Sequence, residues 1–265
     1  MRICALGDLL LDVIVRLDAP LAPDADAPAV TRTGAGGQAA NVAAWAVSLG
    51  AEASVLCKLG DDPAASLVRE EVEARGIAVR GPVVHGRTGV VVSLVAPEGT
   101  RTMASDRGVA PELTAEEIDP AWLEGVDVLH VSGYALLREP IARAALAAAR
   151  LAPRVSLDLS SAGDIESYGV SRFRALVAEL APDLIFANEE EQDVLAGGLP
   201  APEWVLKLGP RGCRFSDGHE LPARAAEVVD PTGAGDALAA GYLVGGPEVA
   251  LDAAGRCVGR MGAMP

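Results

Sequence analysis

The sequence is short of aromatic and basic side chains. Only 3% of its 265 residues are Phe, Trp or Tyr, which disfavours a site that works by stacking nucleobases. Lys and Arg number 22 against 37 Asp and Glu, a formal net charge of -15. That argues against a general binder of nucleic acid or of an anionic membrane, either of which needs a basic face. A small anionic ligand stays open, because a nest of backbone N–H groups and a metal ion can overcome the bulk field locally. The four cysteines, Cys4, Cys57, Cys213 and Cys257, show no C-x-x-C spacing. Buried free thiols in a reducing cytoplasm are expected, rather than disulfides or a zinc site. His85, His130 and His219 lie far apart without metal-ligand spacing and are read as structural. There is no G-x-x-x-x-G-K-[ST] P-loop and no apolar run long enough to span a bilayer. The opening "MRICALGDLLLD" is too short and too acidic for a signal peptide.

Half of the residues are hydrophobic, enough for a large core, and the length suits one large α/β domain. Short apolar runs alternate with helical ones along most of the chain. "RICAL", "ASVLCKLG", "VDVLHVSG", "RVSLDLS", "DLIFANE" and "EWVLKLG" read as strands. "QAANVAAWAVSLG", "DPAASLVREEVEARG", "EPIARAALAAARLA" and "GVSRFRALVAELAPD" read as helices. "TAEE", Thr114 to Glu117, fits a capping box. The alternation predicts an α/β fold with a mostly parallel central sheet flanked by helices, its ligands outside the carboxyl ends of the strands. "DVIVRLDAPLAPDADAPAVTRTG" and "TGVVVSLVAPEGTRTMASDRG" carry strand pieces and no helix, the second hairpin-like with "PEGT" as its turn. They predict a small β-sheet lid, from roughly 13–33 and 88–107, on a single domain spanning 1–265. Trp45, Trp122 and Trp204 stand in apolar contexts and are assigned to the core.

Residues 230–243 read "DPTGAGDALAAGYL". A glycine turn that opens a buried helix points unpaired N–H groups at one spot, where the helix dipole adds positive charge, so the spot suits an anion. Asp236 sits at the same end. It is either an ordinary carboxylate on a first helical turn or the group that takes a proton from an attacking hydroxyl in phosphoryl transfer. A carboxylate at a helix start is expected to have a low pKa, so positioning rather than basicity would matter. "GAGGQAANVAAWAVSLG", residues 34–50, contains G-x-G-x-x-A, the dinucleotide fingerprint. Its context argues against NAD: the turn follows the Pro-rich excursion, and no acidic residue ends the next strand. The adjacent glycines instead let a small polyhydroxy molecule lie against bare backbone, with Asn41 hydrogen-bonding it.

Taken together, these stretches resemble the ribokinase-like carbohydrate kinases, the PfkB family. "GAGGQAANVA" looks like the amino-terminal glycine signature of that family, "DPTGAGDALAAGYL" like its carboxy-terminal signature, and "NEEE" at Asn188–Glu191 like its N-x-x-E motif. The resemblance implies a ribokinase-like fold and an ATP-dependent kinase that phosphorylates a hydroxyl of a small sugar or sugar acid, with Mg²⁺. Asp236 would be the catalytic base, and Gly233, Ala234 and Gly235 the anion hole. Asp12, Gly36, Gly37 and Asn41 would hold the sugar. Apart from the resemblance, Arg107 of "SDRG" either reaches an acceptor carboxylate from the lid or is a surface Arg paired with Asp106. Asn188, Lys207, Gly209 and Gly212 would face the nucleotide, and Glu191 the Mg²⁺ through water. Asp230 and Thr232 match positions that hold a monovalent cation, K⁺, in many members. A homodimer through the β lid follows from the same resemblance, while the scattered cysteines are what suit a cytoplasmic location.

The chain also departs from the family. Pro231 replaces a more usual Thr. Asp158 in "VSLDLSS" lacks the nearby Arg of some members, which argues against a phosphorylated acceptor. A nucleoside kinase of the same fold and a catalytically silent sugar- or nucleotide-binding regulator are the alternative functions.

Overall fold

Nine strands form the central sheet of the computed structural model, which describes every residue except Gly99, Ala196, Gly197 and Pro200. Their spatial order is Glu220–Leu221, Cys213–Phe215, Glu203–Lys207, Leu184–Asn188, Val155–Asp158, Val128–Ser132, Arg2–Leu6, Glu52–Leu56 and Ala78–Arg80. The seven from Glu203–Lys207 to Ala78–Arg80 pair in parallel; the two at the other edge are antiparallel. Parallel strands covered on both faces must be apolar throughout, and Val128–Ser132 is buried at every position. Alternate side chains feed two cores: Ile3 and Ala5 enter one, Cys4 and Leu6 the other. The first core packs the helices Gln38–Ser48, Pro63–Ala74 and Ala234–Val258 on one face; the second packs Ile141–Ala149 and Val170–Leu180 on the other.

The helix Gln38–Ser48 is Ala-rich because it is squeezed between the sheet and the helix that starts at Ala234; Ala39 to Ala46 are all buried. The partner helix breaks at Gly245 and Gly246, whose backbone angles are not helical, and then continues through Pro247. All four thiols are free and buried. Among the described residues, no helix is long and apolar enough to cross a membrane.

The lid is a second, four-stranded sheet in the order Ala29–Gly36, Leu10–Leu17, Thr88–Val95 and Arg101–Gly108. Leu10–Leu17 runs antiparallel to Ala29–Gly36 but parallel to Thr88–Val95, so the lid joins the two non-helical stretches side by side. The predicted "PEGT" turn contains Gly99, which lies outside the described residues.

Two local expectations change. "TAEE" caps only one 3₁₀ turn, Ala115–Glu117. Its Glu117 is also engaged by Lys58 at 2.8 Å, and Lys58 reaches the Glu112 carbonyl as well. "ASVLCKLG" is not one strand. Glu52–Leu56 stays in the main sheet, and Leu59–Gly60 turns off to pair with Val83–Val84.

Candidate active site

The site is built around the mouth of the helix Ala234–Val258. Gly233 caps it in the left-handed region (φ 77°), and a Cβ there would meet Ala263 at 2.5 Å. Only glycine fits both demands. Asp230 folds the preceding loop back on itself. Its Oδ1 accepts from the Thr232 N–H at 2.9 Å and from the Thr232 hydroxyl, and its Oδ2 accepts from the Gly262 N–H at 3.1 Å. Of the expected anion-hole amides, Ala234 donates to the Pro231 carbonyl at 3.3 Å. Those of Gly233 and Gly235 have no hydrogen bond to the described residues, as the first turn of a helix leaves them.

Two cavities meet at this mouth. One, of about 510 Å³, lies under the lid and is lined by Gly233 and Asp236 together with Asp12, Asn41 and Arg107. The other, of about 570 Å³, is lined by Ala234 and Gly235 with Lys207, Gly209 and Gly212 and is otherwise largely aliphatic. The amino end of one helix is therefore the partition between them.

In the first cavity, Asn41 projects from the helix Gln38–Ser48, and its Nδ2 donates to Asp236 Oδ2 at 2.8 Å. The Oδ1 of Asn41 is buried with no partner, so it stands ready to accept from a hydroxyl. Gln38, one turn earlier on the same face, receives the hydroxyls of Ser132 and of Ser160, the latter at 2.6 Å. Asp12 comes from the lid. A Cβ on Gly36 would stand 2.1 Å from its carboxylate, so the glycine makes room for the acid. Gly37 has φ 97°, and a Cβ there would strike the Asp8 carbonyl at 2.4 Å. Arg107 pairs with Asp8 and lies 4.2 Å over the Tyr134 ring.

On the far side, Lys207 ends its strand and binds both oxygens of Asp158, at 3.0 and 2.8 Å. Gly209 and Gly212 sit at positive φ in the following turn, and a Cβ on Gly212 would overlap the Leu221 carbonyl. Asn188 and Glu191 form a reciprocal capping box. Asn188 Oδ1 accepts from the Glu191 N–H at 2.8 Å, and Glu191 Oε2 accepts from the Asn188 N–H at 2.8 Å. Glu191 is buried and already hydrogen-bonded, so it can serve a cation only across water. Among the described residues, no cluster of three or more acidic, His or Cys side chains is arranged to hold a metal directly.

The electrostatics correct one expectation. Asp236 does not have the low pKa of an exposed carboxylate on a helix start. Burial pushes it up to about 7 and Asp158 adds to the rise, against the Asn41 hydrogen bond and Lys207. Desolvation outweighs the helix end here. Burial likewise pushes Asp12 up to about 6, with Arg101 opposing and Glu71 adding, and it raises Glu191. Burial works against the charge on Lys207, but Asp158, Glu191 and Asp236 more than offset it and raise its pKa.

Every residue expected at the site falls at one cavity or the other, except Gly36, which makes room for Asp12, and Asn188 and Glu191, which lie near Lys207 and Asp158. The sequence reading missed Asp8, Gln38, Tyr134, Arg101, Arg138 and Ala263. Gln38 had a signal, lying between Gly37 and Asn41 at helical spacing from the latter. Arg101 and Arg138 had none. The basic group beside Asp158 is Lys207, whereas Arg101 and Arg138 reach the cavity under the lid from the lid sheet and from the loop before Ile141.

A protein named ATP-dependent ribose-1-phosphate kinase from Halopiger xanaduensis is 30% identical over 99% of this chain and 94% of its own. The crystal structure of adenosine kinase from Sinorhizobium meliloti superposes with a TM-score of 0.87 at 24% identity, covering 99% of this chain and 95% of that one. An uncharacterized sugar kinase from Pyrococcus horikoshii, in complex with ATP, superposes at 0.83 with 22% identity over 99% and 95%. These likenesses place the fold among the ribokinase-like kinases. Residues 1–250 match the family described as pfkB family carbohydrate kinase, and with that match over nearly its whole length the chain belongs to that family.

Proposed function

We propose that this kinase moves the terminal phosphoryl group of ATP to a hydroxyl of a small sugar or sugar acid. The observation that carries the reading is the partition. Asp236 and Gly233 face one cavity, Ala234 and Gly235 face the other, and the helix mouth is where two ligands would touch. The acceptor lies under the lid, with hydroxyls on Asp12 and on the unpartnered Oδ1 of Asn41. Asp236, poised near neutrality, accepts the proton of the attacking hydroxyl, as a base should at physiological pH. The free amides of Gly233 and Gly235 meet charge on the moving group. The nucleotide occupies the aliphatic cavity behind the Gly209–Gly212 turn. Mg²⁺ carried by the phosphates suits the buried Glu191 as an outer-sphere partner and would neutralise charge on the donor.

The monovalent cation at Asp230 and Thr232 fits less well. The Asp230 carboxylate is already met by two N–H groups and a hydroxyl, with Arg101 3.7 Å away, and no step is assigned to such an ion. A nucleoside acceptor is disfavoured because Tyr134, the aromatic side chain lining the acceptor cavity, is already covered by Arg107. One observation favours an anionic acceptor. Arg138 lines the same cavity, its side chain has no ionic or hydrogen-bonding partner among the described residues, and the relative from Halopiger xanaduensis is named for a sugar phosphate.

The test is ADP release with ATP and Mg²⁺ over a panel of sugars, sugar acids, ribose 1-phosphate and nucleosides, with wild type and Asp236→Asn. Turnover with a sugar, sugar acid or sugar phosphate that falls by about 10²- to 10⁴-fold in the variant supports the reading. Nucleotide binding without turnover on any acceptor supports the silent regulator instead.

A further inference from the structure

Lys207 and Asp158 form a desolvated ion pair, with side chains 15% and 1% exposed. A buried pair of this kind adds little net stability over apolar residues of the same volume, so its position invites another use. Lys207 lines the aliphatic cavity beside Ala234 and Gly235. Its Nζ lies 3.5 Å from the point where a Cβ on Gly235 would stand. The ammonium therefore sits under the helix mouth, next to the free amide of Gly235. Asp158, on its other side, also accepts from the Ser160 N–H at 3.0 Å, and the Ser160 hydroxyl donates to Gln38 at the acceptor cavity. The pair bridges the partition.

We propose that Lys207 is a catalytic residue that exchanges partners: at rest its ammonium holds Asp158, and the terminal phosphate of the donor takes its place. The inference rests on the kinase reading above and adds a role to it. A terminal phosphate carries more charge than a carboxylate and offers three oxygens to a donor that makes three hydrogen bonds. The exchange leaves no buried cation unpaired at any stage, which would be costly. Asp158 keeps its hydrogen bond from Ser160 when it is released. The ammonium then lies beside the group whose charge redistributes as the bond to the acceptor forms, where a fixed positive charge is most effective.

The experiment is calorimetric titration with two nucleotides, ADP and β,γ-imido-ATP, each with Mg²⁺, because they differ in the terminal phosphate. Lys207→Met is expected to weaken the imido analogue by about thirtyfold and ADP by no more than about threefold. Asp158→Asn removes the resting competitor and is expected to tighten the analogue several-fold, with little change for ADP. Opposite signs in the two variants are not produced by a merely structural pair. Should Lys207→Met fail to fold, the double variant with Asp158→Asn, which removes both charges together, gives the same comparison. Equal losses for both nucleotides, or a weaker analogue in Asp158→Asn, overturn the proposal. Failure of wild type to bind either nucleotide overturns the kinase reading itself, a distinct outcome.

Discussion

Asn41 donates to Asp236 at 2.8 Å across 195 residues of sequence, tying the amino-terminal glycine motif to the carboxy-terminal one. The bond favours the charged form of Asp236 and so restrains its rise. Asn41→Ala should move the acid limb of the kcat/KM profile to higher pH, by up to about one unit. A pH–rate series on wild type and variant checks this, and an unmoved limb removes Asn41 from the control of Asp236.

Asp236 should also trade stability for activity. Its folded pKa of about 7 stands above that of an unfolded aspartate. Its contribution is fully present below the unfolded pKa near 4 and is lost as pH rises through 7. At pH 8 the buried charge costs on the order of 2 to 4 kcal/mol. Asp236→Asn should therefore raise Tm at pH 8 and change it little at pH 4, while abolishing most turnover. Thermal melts at the two pH values decide it.

His130 predicts the opposite slope. It is fully buried, with Nδ1 2.9 Å from the Ser156 hydroxyl and Nε2 unpartnered. Burial pushes its pKa down to about 4, Asp158 opposing and Lys207 assisting. Stability from a neutral histidine is present above the unfolded value of about 6.5 and drains away as pH falls toward 4, by about 2 kcal/mol at pH 5. Urea unfolding of wild type and His130→Gln at pH 7.5 and pH 5 isolates the term: the difference between the proteins should shift against wild type at the lower pH.

Gly36→Ala tests the grip on the acceptor. The new Cβ would stand 2.1 Å from the Asp12 carboxylate, the far end of a side chain that can swing away. The protein should fold, with acceptor KM raised about tenfold or more and kcat much less affected. A loss of kcat alone would separate Asp12 from acceptor binding.

Much of this was legible in the sequence because the signals are local. "RICAL" and "VDVLHVSG" are short apolar runs too brief for helices, and strands with helices on both faces require such runs. The helix after Gly235 was marked by the glycines that open it. The lid showed as two stretches of strand residues without a helix. Other features depend on what folding brings together. The antiparallel edge strands Cys213–Phe215 and Glu220–Leu221 hold three and two residues, too few for a period to register. The pKa of Asp236 was misjudged because helix position can be read from sequence, whereas burial beside Asp158 cannot. Arg138 is one more arginine in a loop until the cavity forms in front of it.

The anchor points proposed for the acceptor belong to the layers of two different sheets. Asp12 and Arg107 ride on the lid sheet, while Asn41 and Asp236 are fixed to helices packed on the main sheet. On that proposal a bound polyol would be a clasp fastening one to the other. An alcohol too short to reach across would satisfy Asp236 yet leave the clasp undone, with water beside the reacting phosphate. For such stunted molecules, wasted ATP rather than slow phosphorylation should be the symptom of a poor fit.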